Sequence, residues 1–153
     1  MDLILWRHAE AEDEAEGLDD LERALTPRGE KQAARMANWL DRHLPEGTRI
    51  LTSPALRCEQ TVQALGRKAR RHDDLAPDGT AEGVLKAAQW PHAKQPVLVV
   101  GHQPVLGAVV AQLLGIQGGG CPVRKAGVWW LRTRERDGQQ QTVVWAVQSP
   151  ETV

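Results

Sequence analysis

Apolar positions fall into two kinds of block along the chain. Short uninterrupted runs occur in "DLILW" at 2 to 6, in "TRILTSP" and in "QPVLVVGH", and they read as buried strands. Longer stretches between them carry helical spacing. In "LTPRGEKQAARMANWLDRHL", Ala33, Met36, Ala37 and Leu40 share one face. Thr26 is placed to cap that helix, Pro27 to open it, and Glu30 follows; Pro45 and Gly47 end it. A second helix is expected from Ser53-Pro54 to about Arg67, with Leu56, Val62 and Leu65 as its apolar set. A basic strand is expected near 70 to 73, and "TAEGVLKAAQW" reads as a shorter helix. "PVLGAVVAQLLG" is an apolar helix closed by Gly115. In the tail, "AGVWWLRT" and "QTVVWAVQ" flank Asp137-Gly138, a hairpin signal. Residues 9 to 24 are acidic, contain Gly17, and read as an exposed loop.

Strands alternating with helices, followed by a hairpin, predict an α/β fold: a three-layer sandwich with a mostly parallel central sheet and an antiparallel edge. The 153 residues suit one domain spanning 1 to 153. "GGG" at 118 to 120 precedes no Lys-Ser/Thr helix start, so it is a loop and not a phosphate-cradling Walker motif.

Composition narrows the function classes. With 41% apolar and 25% charged residues, the chain is an ordinary globular protein. A net charge of −1 gives no global attraction to nucleic acid or membrane. No apolar run reaches the roughly 18 to 20 residues of a bilayer span, and the first residues lack a basic leader, so a cytoplasmic protein is expected. Cys58 and Cys121 belong to no CxxC pair, which argues against a disulfide scaffold or a thiolate zinc site.

Chemistry enters where the strands end. "LILW" runs into Arg7-His8, "VLVVG" runs into His102, and the strand "RILTSP" leads into a helix whose first turn holds Arg57. In an open parallel sheet the carboxyl ends of the strands share one edge, and ligands bind there. Arg7, His8, Arg57 and His102 are therefore expected neighbours, with two helix amino termini adding positive potential. Such a cluster describes an anion pocket. Guanidinium groups bind phosphate oxygens bidentately, and fixed cations stabilise the charge of a phosphoryl group in transfer. One neutral imidazole could attack phosphorus while the other donates a hydrogen bond to the phosphoryl oxygens.

These segments also carry a family resemblance. "RHAEAE" after an N-terminal strand resembles the Arg-His-Gly signature of the histidine phosphatase superfamily, whose fold is phosphoglycerate mutase-like. "LTPRGEKQA", "ILTSPALRCEQTVQAL" and "VLVVGHQPVLGAVV" resemble its later segments in the same order. The compact form, without large insertions between residues 67 and 96, looks like the SixA-type phosphohistidine phosphatases of bacterial signalling chains. The resemblance implies that His8 is the nucleophile, that Arg7 and Arg57 bind phosphate, and that His102 is the second phosphate-binding histidine. It implies a metal-independent enzyme with no cofactor, acting on phosphohistidine of a phosphotransfer or phosphocarrier protein. The alternatives are a small-molecule phosphomonoesterase and a non-catalytic phosphate or phosphoprotein-binding module.

Two departures stand out. Ala9 replaces the glycine of the signature, which in practice forbids a positive φ there. Gln103 and Pro104 follow His102 where some relatives supply an acid. Glu10, Glu12, Asp78 and Glu82 are candidate proton donors. An alkoxide leaving group needs such a donor, whereas imidazole, with a conjugate-acid pKa of about 6.5, needs it less. Weak acid equipment is thus compatible with P–N cleavage. His43, His72 and His92 show no ligand spacing and read as surface residues. "RKARRH" at 67 to 72 is a local basic patch, and the acidic run after His8 borders the pocket, where it could gate entry.

Overall fold

A computed structural model describes all residues from Met1 to Val153. In chain order its elements are β1 (Asp2–Arg7), α1 (Pro27–His43), β2 (Arg49–Thr52), α2 (Leu56–Gln63), β3 (Arg70–Arg71), α3 (Ala81–Ala87), β4 (Val97–Gly101), α4 (Val105–Leu114), β5 (Val128–Arg136) and β6 (Gln139–Gln148). Six strands form one sheet in the order β3-β2-β4-β1-β5-β6. The pairs β2–β3, β2–β4 and β1–β4 are parallel, and β1–β5 and β5–β6 are antiparallel.

Strand β4 is buried along its whole length at the centre of the parallel part. Its alternate side chains serve two cores. Leu98 and Val100 join Ile4 and Trp6 of β1 under α1 and α2, while Val97 and Val99 join Leu3 and Leu5 under α3 and α4. A strand covered on both faces has no polar side to show, which is why these runs are uninterrupted in sequence. Helix α1 forms as its signals predict. The Thr26 hydroxyl accepts from the Gly29 N–H, Pro27 opens the helix, and Ala33, Met36, Ala37 and Leu40 are buried.

Helix α2 differs from expectation. It begins at Leu56 and ends at Gln63, not near Arg67. Ser53 does not cap it, because its hydroxyl is engaged with His102 and the Ala55 N–H. Gly66, at φ +68°, turns the chain away after the last helical residues. The packed face is Cys58, Thr61 and Val62, while Leu56 is only half-buried.

Strand β3 is a two-residue pairing, and the hairpin turns at Asp137 and Gly138, both at positive φ as a two-residue loop of this hand requires. Trp130 is buried and Trp129 half-buried, so both serve mainly as core. No helix is long and apolar enough to cross a membrane.

Candidate active site

The parallel strands end at one sheet edge, and the polar residues after them converge there. His8 directly follows β1. Its N–H donates to the Gly101 carbonyl at the end of β4, and its carbonyl accepts from Ala126 N–H in the turn before β5. The nucleophile candidate is thus clamped from both neighbouring strands. Ala126 is fully buried at φ +58°, a conformation disfavoured for alanine and held by its surroundings. Its carbonyl takes the Trp6 indole N–H at 3.0 Å. Ala9 is buried with no positive φ, so a glycine's freedom is not needed at that position.

The His8 ring donates from Nδ1 to the Ala9 carbonyl at 2.7 Å. A carbonyl can only accept, so the proton sits on Nδ1 and Nε2 carries the free lone pair. The imidazole pKa is pushed down to about 4. Burial is the main cause, opposed by the Ala9 hydrogen bond and reinforced by Arg57, Arg7 and Arg23. His8 is therefore a neutral base at pH 7.

Helix α2 delivers Arg57 and braces the strand end together. Thr61 donates to the Arg57 carbonyl at 2.7 Å and accepts from the Ala9 N–H at 3.0 Å. The buried Arg57 guanidinium donates through Nη1 to the Asp20 carbonyl at 2.7 Å and through Nη2 to the Asp20 carboxylate at 3.1 Å. Arg23 binds the same carboxylate at 2.8 Å and the Glu12 carbonyl at 2.8 Å. Burial would raise the Asp20 carboxyl, but hydrogen bonds from Arg23 and Arg57 hold it below the usual range. Residues 12 to 19 are exposed as expected, yet Asp20 and Arg23 turn inward and make the loop part of the site. Sequence reasoning missed both, because an acidic run reads as solvated until its partner is known.

Arg7 donates through Nη1 to the Val123 carbonyl at 2.9 Å. The loop carrying Val123 is pressed on α4. A Cβ on Gly107 would lie 1.8 Å from the Cys121 carbonyl oxygen, so only glycine allows the approach. Gln103 ties the same contact, donating to the Cys121 carbonyl and accepting from Gly107 N–H. The Nε–H groups of Arg7 and Arg57 are buried without a protein acceptor. Buried cationic donors left unpaired are costly, and an anion would satisfy both.

His102, 4% exposed, lies with its ring centroid 5.3 Å from that of His8. Its Nε2 is 2.8 Å from the Ser53 hydroxyl and 3.5 Å from the Cys58 thiol. Its pKa is pushed down to about 3, first by burial, then by His8 and Arg57. Burial pushes the Cys58 thiol up to about 12, so it is no nucleophile.

All four expected site residues line one cavity of about 220 Å³, together with Arg23 and Lys125. The four candidate proton donors do not line it. Glu10 turns its carboxylate to the Thr26 hydroxyl at 2.7 Å, at the start of α1. Glu12, Asp78 and Glu82 are exposed elsewhere on the surface. The one carboxylate among the lining residues is the exposed Asp13, which the sequence reading did not single out as a donor. No three His, Cys, Asp or Glu side chains come together as a metal site.

The model of the histidine phosphatase superfamily (branch 1) matches residues 3–77, a segment that contains Arg7, His8 and Arg57 but not His102. The phosphohistidine phosphatase SixA of Escherichia coli (strain K12) is 34% identical over 122 residues, covering 74% of each chain. The SixA homolog of Haemophilus influenzae is 32% identical over 130 residues, covering 75% of this chain and 78% of that one. Among solved structures, the protein histidine phosphatase SixA complexed with tungstate superposes with a TM-score of 0.76 at 28% identity. That match covers 98% of this chain and 97% of the other.

Proposed function

This chain belongs to the histidine phosphatase superfamily, and from that premise we propose that it hydrolyses phosphohistidine on a signalling or phosphocarrier protein, through a phosphohistidine intermediate on His8. The observation that carries the proposal is the pairing of a bare, neutral His8 Nε2 with two buried arginine Nε–H donors that have no protein acceptor. The arginines supply fixed charge where phosphoryl oxygens would sit, and His8 supplies the lone pair.

In the first step His8 Nε2 attacks phosphorus in line and the bond to the leaving group breaks, with its electron pair going to that group. In the second, water attacks the His8 phosphoramidate, and His8 recovers its lone pair. Arg7, Arg57 and His102 hold the phosphoryl oxygens throughout. Positive charge from the two arginines does the work a cation would do elsewhere, so activity should persist in chelator.

Three features favour a protein-borne phosphohistidine over a free phosphomonoester. The cavity is smaller than the roughly 300–1,000 Å³ that usually encloses a small molecule, which suits a side chain presented from outside. No buried carboxylic acid lines it, and imidazole departs with less proton assistance than an alkoxide. The named SixA relatives are phosphohistidine phosphatases. We place the enzyme in the cytoplasm, since Cys58 and Cys121 are both free thiols.

The test compares a phosphohistidine-bearing phosphocarrier protein with phosphoserine and an aryl phosphate. We expect kcat/KM at least a hundredfold higher on the first. A preference for the esters would replace this reading with a phosphomonoesterase. Phosphate binding with no turnover of any of them would indicate a binding module. Quenching in base after reaction with phosphorus-labelled aryl phosphate should leave base-stable, acid-labile label on the wild type and none on His8→Ala.

A further inference from the structure

We propose that Ser53 is a positioning residue that fixes the tautomer of His102, keeping Nε2 bare and the proton on Nδ1, so that His102 meets the phosphoryl group as a neutral hydrogen-bond donor. The inference rests on the reading of the cavity as a phosphoryl site. It adds what determines how the second histidine acts there.

Ser53 is fully buried, and its hydroxyl oxygen already accepts from the Ala55 N–H at 3.1 Å. The hydroxyl proton has one strong acceptor, His102 Nε2 at 2.8 Å; its other contact, the Cys58 thiol, is a weak acceptor. If Nε2 carried a proton, that N–H would donate to Ser53 Oγ, and the serine's own proton would be left with only the weak thiol acceptor of Cys58. Leaving a buried donor poorly paired forfeits most of its hydrogen bond while its desolvation cost stays. With Nε2 bare, every group is satisfied. The Ala55 N–H donates to Ser53, Ser53 donates to His102 Nε2, and the Cys58 thiol has the Gly101 carbonyl at 3.8 Å as its acceptor. The neutral ring must then carry its proton on Nδ1, the nitrogen without a protein partner in a side chain that lines the cavity.

The two histidines therefore hold the same tautomer but leave opposite nitrogens free, for different reasons. His8 faces a backbone carbonyl that can only accept, so its Nδ1 is protonated and its Nε2 is free to attack. His102 faces a hydroxyl obliged to donate, so its Nε2 is bare and its Nδ1–H is free to donate. Were His102 in the other form, a lone pair would point at the phosphoryl oxygens and repel the charge it should stabilise. Ser53 can impose this because it directly follows β2, whose last residue Thr52 is in register with Val100 of β4, two residues before His102.

Imidazole ¹H–¹⁵N correlation spectra of the histidine-labelled protein at pH 7 read the tautomer directly and need no substrate. We expect His102 with Nδ1 protonated and Nε2 bare, and His8 likewise protonated on Nδ1. For Ser53→Ala we expect His102 to lose its single tautomer and kcat on an aryl phosphate to fall about tenfold, the factor carried by one such hydrogen bond. Ser53→Thr keeps the hydroxyl and should restore both. A wild-type His102 protonated on Nε2 overturns the inference, as does a folded Ser53→Ala protein with unchanged tautomer and kcat. The wild-type spectrum decides even if Ser53→Ala does not fold. Absence of any phosphatase turnover in the wild type would instead defeat the proposed function, and the spectrum would still report on Ser53.

Discussion

His8 and Arg57 show how much of the site depends on single backbone and side-chain partners. Burial and neighbouring cations hold the His8 pKa near 4, well below the ordinary value of about 6.5. Burial comes first among these causes, and Arg57 counts before the adjacent Arg7, so adjacency of two cations in sequence is the lesser part of the explanation. An NMR titration should show His8 unprotonated from pH 8 down to 5, and a midpoint near 6.5 would contradict the site described. The unfolded chain takes up protons on His8 and His102 below pH 6.5, and the folded chain does so only near 4 and 3. Unfolding by urea should therefore become easier as pH falls from 6.5 toward 4, and His8→Gln should flatten that dependence. Asp20 fixes the Arg57 guanidinium by two of its nitrogens, and the buried Nε–H has no protein acceptor. Asp20→Ala should weaken inhibition by orthovanadate about tenfold, through loss of a charge-assisted hydrogen bond of roughly 1.5–3 kcal/mol.

Elements reach the site through two close backbone approaches. Helix α1 sits so near the strand-to-loop turn that a Cβ on Gly29 would lie 2.0 Å from the Glu10 carbonyl oxygen. Glu10 and Thr26 then share a hydrogen bond at the helix cap, which explains why that carboxylate is withheld from the cavity. Helix α4 makes the equivalent approach to Cys121 through Gly107. Because the obstacle in each case is backbone, Gly107→Ala should cost at least about 2 kcal/mol by the usual overpacking range. For a chain of this size that lowers Tm by roughly 4–8 °C. It should also raise KM for phosphate substrates, since the displaced loop carries the Val123 carbonyl that holds Arg7. Differential scanning calorimetry and steady-state kinetics check the two halves separately. A stable Gly107→Ala protein would mean that the loop yields easily.

At the scale of the molecule, folding gathers positive charge into one cavity that has a single lining carboxylate, Asp13. Arg7, Arg23, Arg57 and Lys125 line it, against a net charge of −1 for the whole chain. An oxyanion that binds only the folded form must then stabilise it. Tungstate at a hundred times its dissociation constant should add about 2.7 kcal/mol. Thermal shift should register this as a rise of several degrees, absent in Arg57→Ala and unchanged by EDTA. Loss of the wild-type shift in EDTA would show that a metal, not arginine, holds the anion.

The alternation of buried runs and amphipathic stretches was enough to determine the α/β class, because a strand covered on both faces can be built only from apolar residues. It also determined the edge where Arg7, His8, Arg57 and His102 meet, since parallel strands carry whatever follows them to the same side. Other features needed the folded chain. The length of α2, the inward turn of Asp20 and Arg23, the withdrawal of Glu10 and the burial of Ser53 against His102 each depend on a partner distant in sequence. Asp20 and Arg57 are 37 positions apart, and Ser53 and His102 are 49. A polar residue's pattern in sequence shows whether it can be solvated. Only the tertiary structure decides which proton or charge it is made to face.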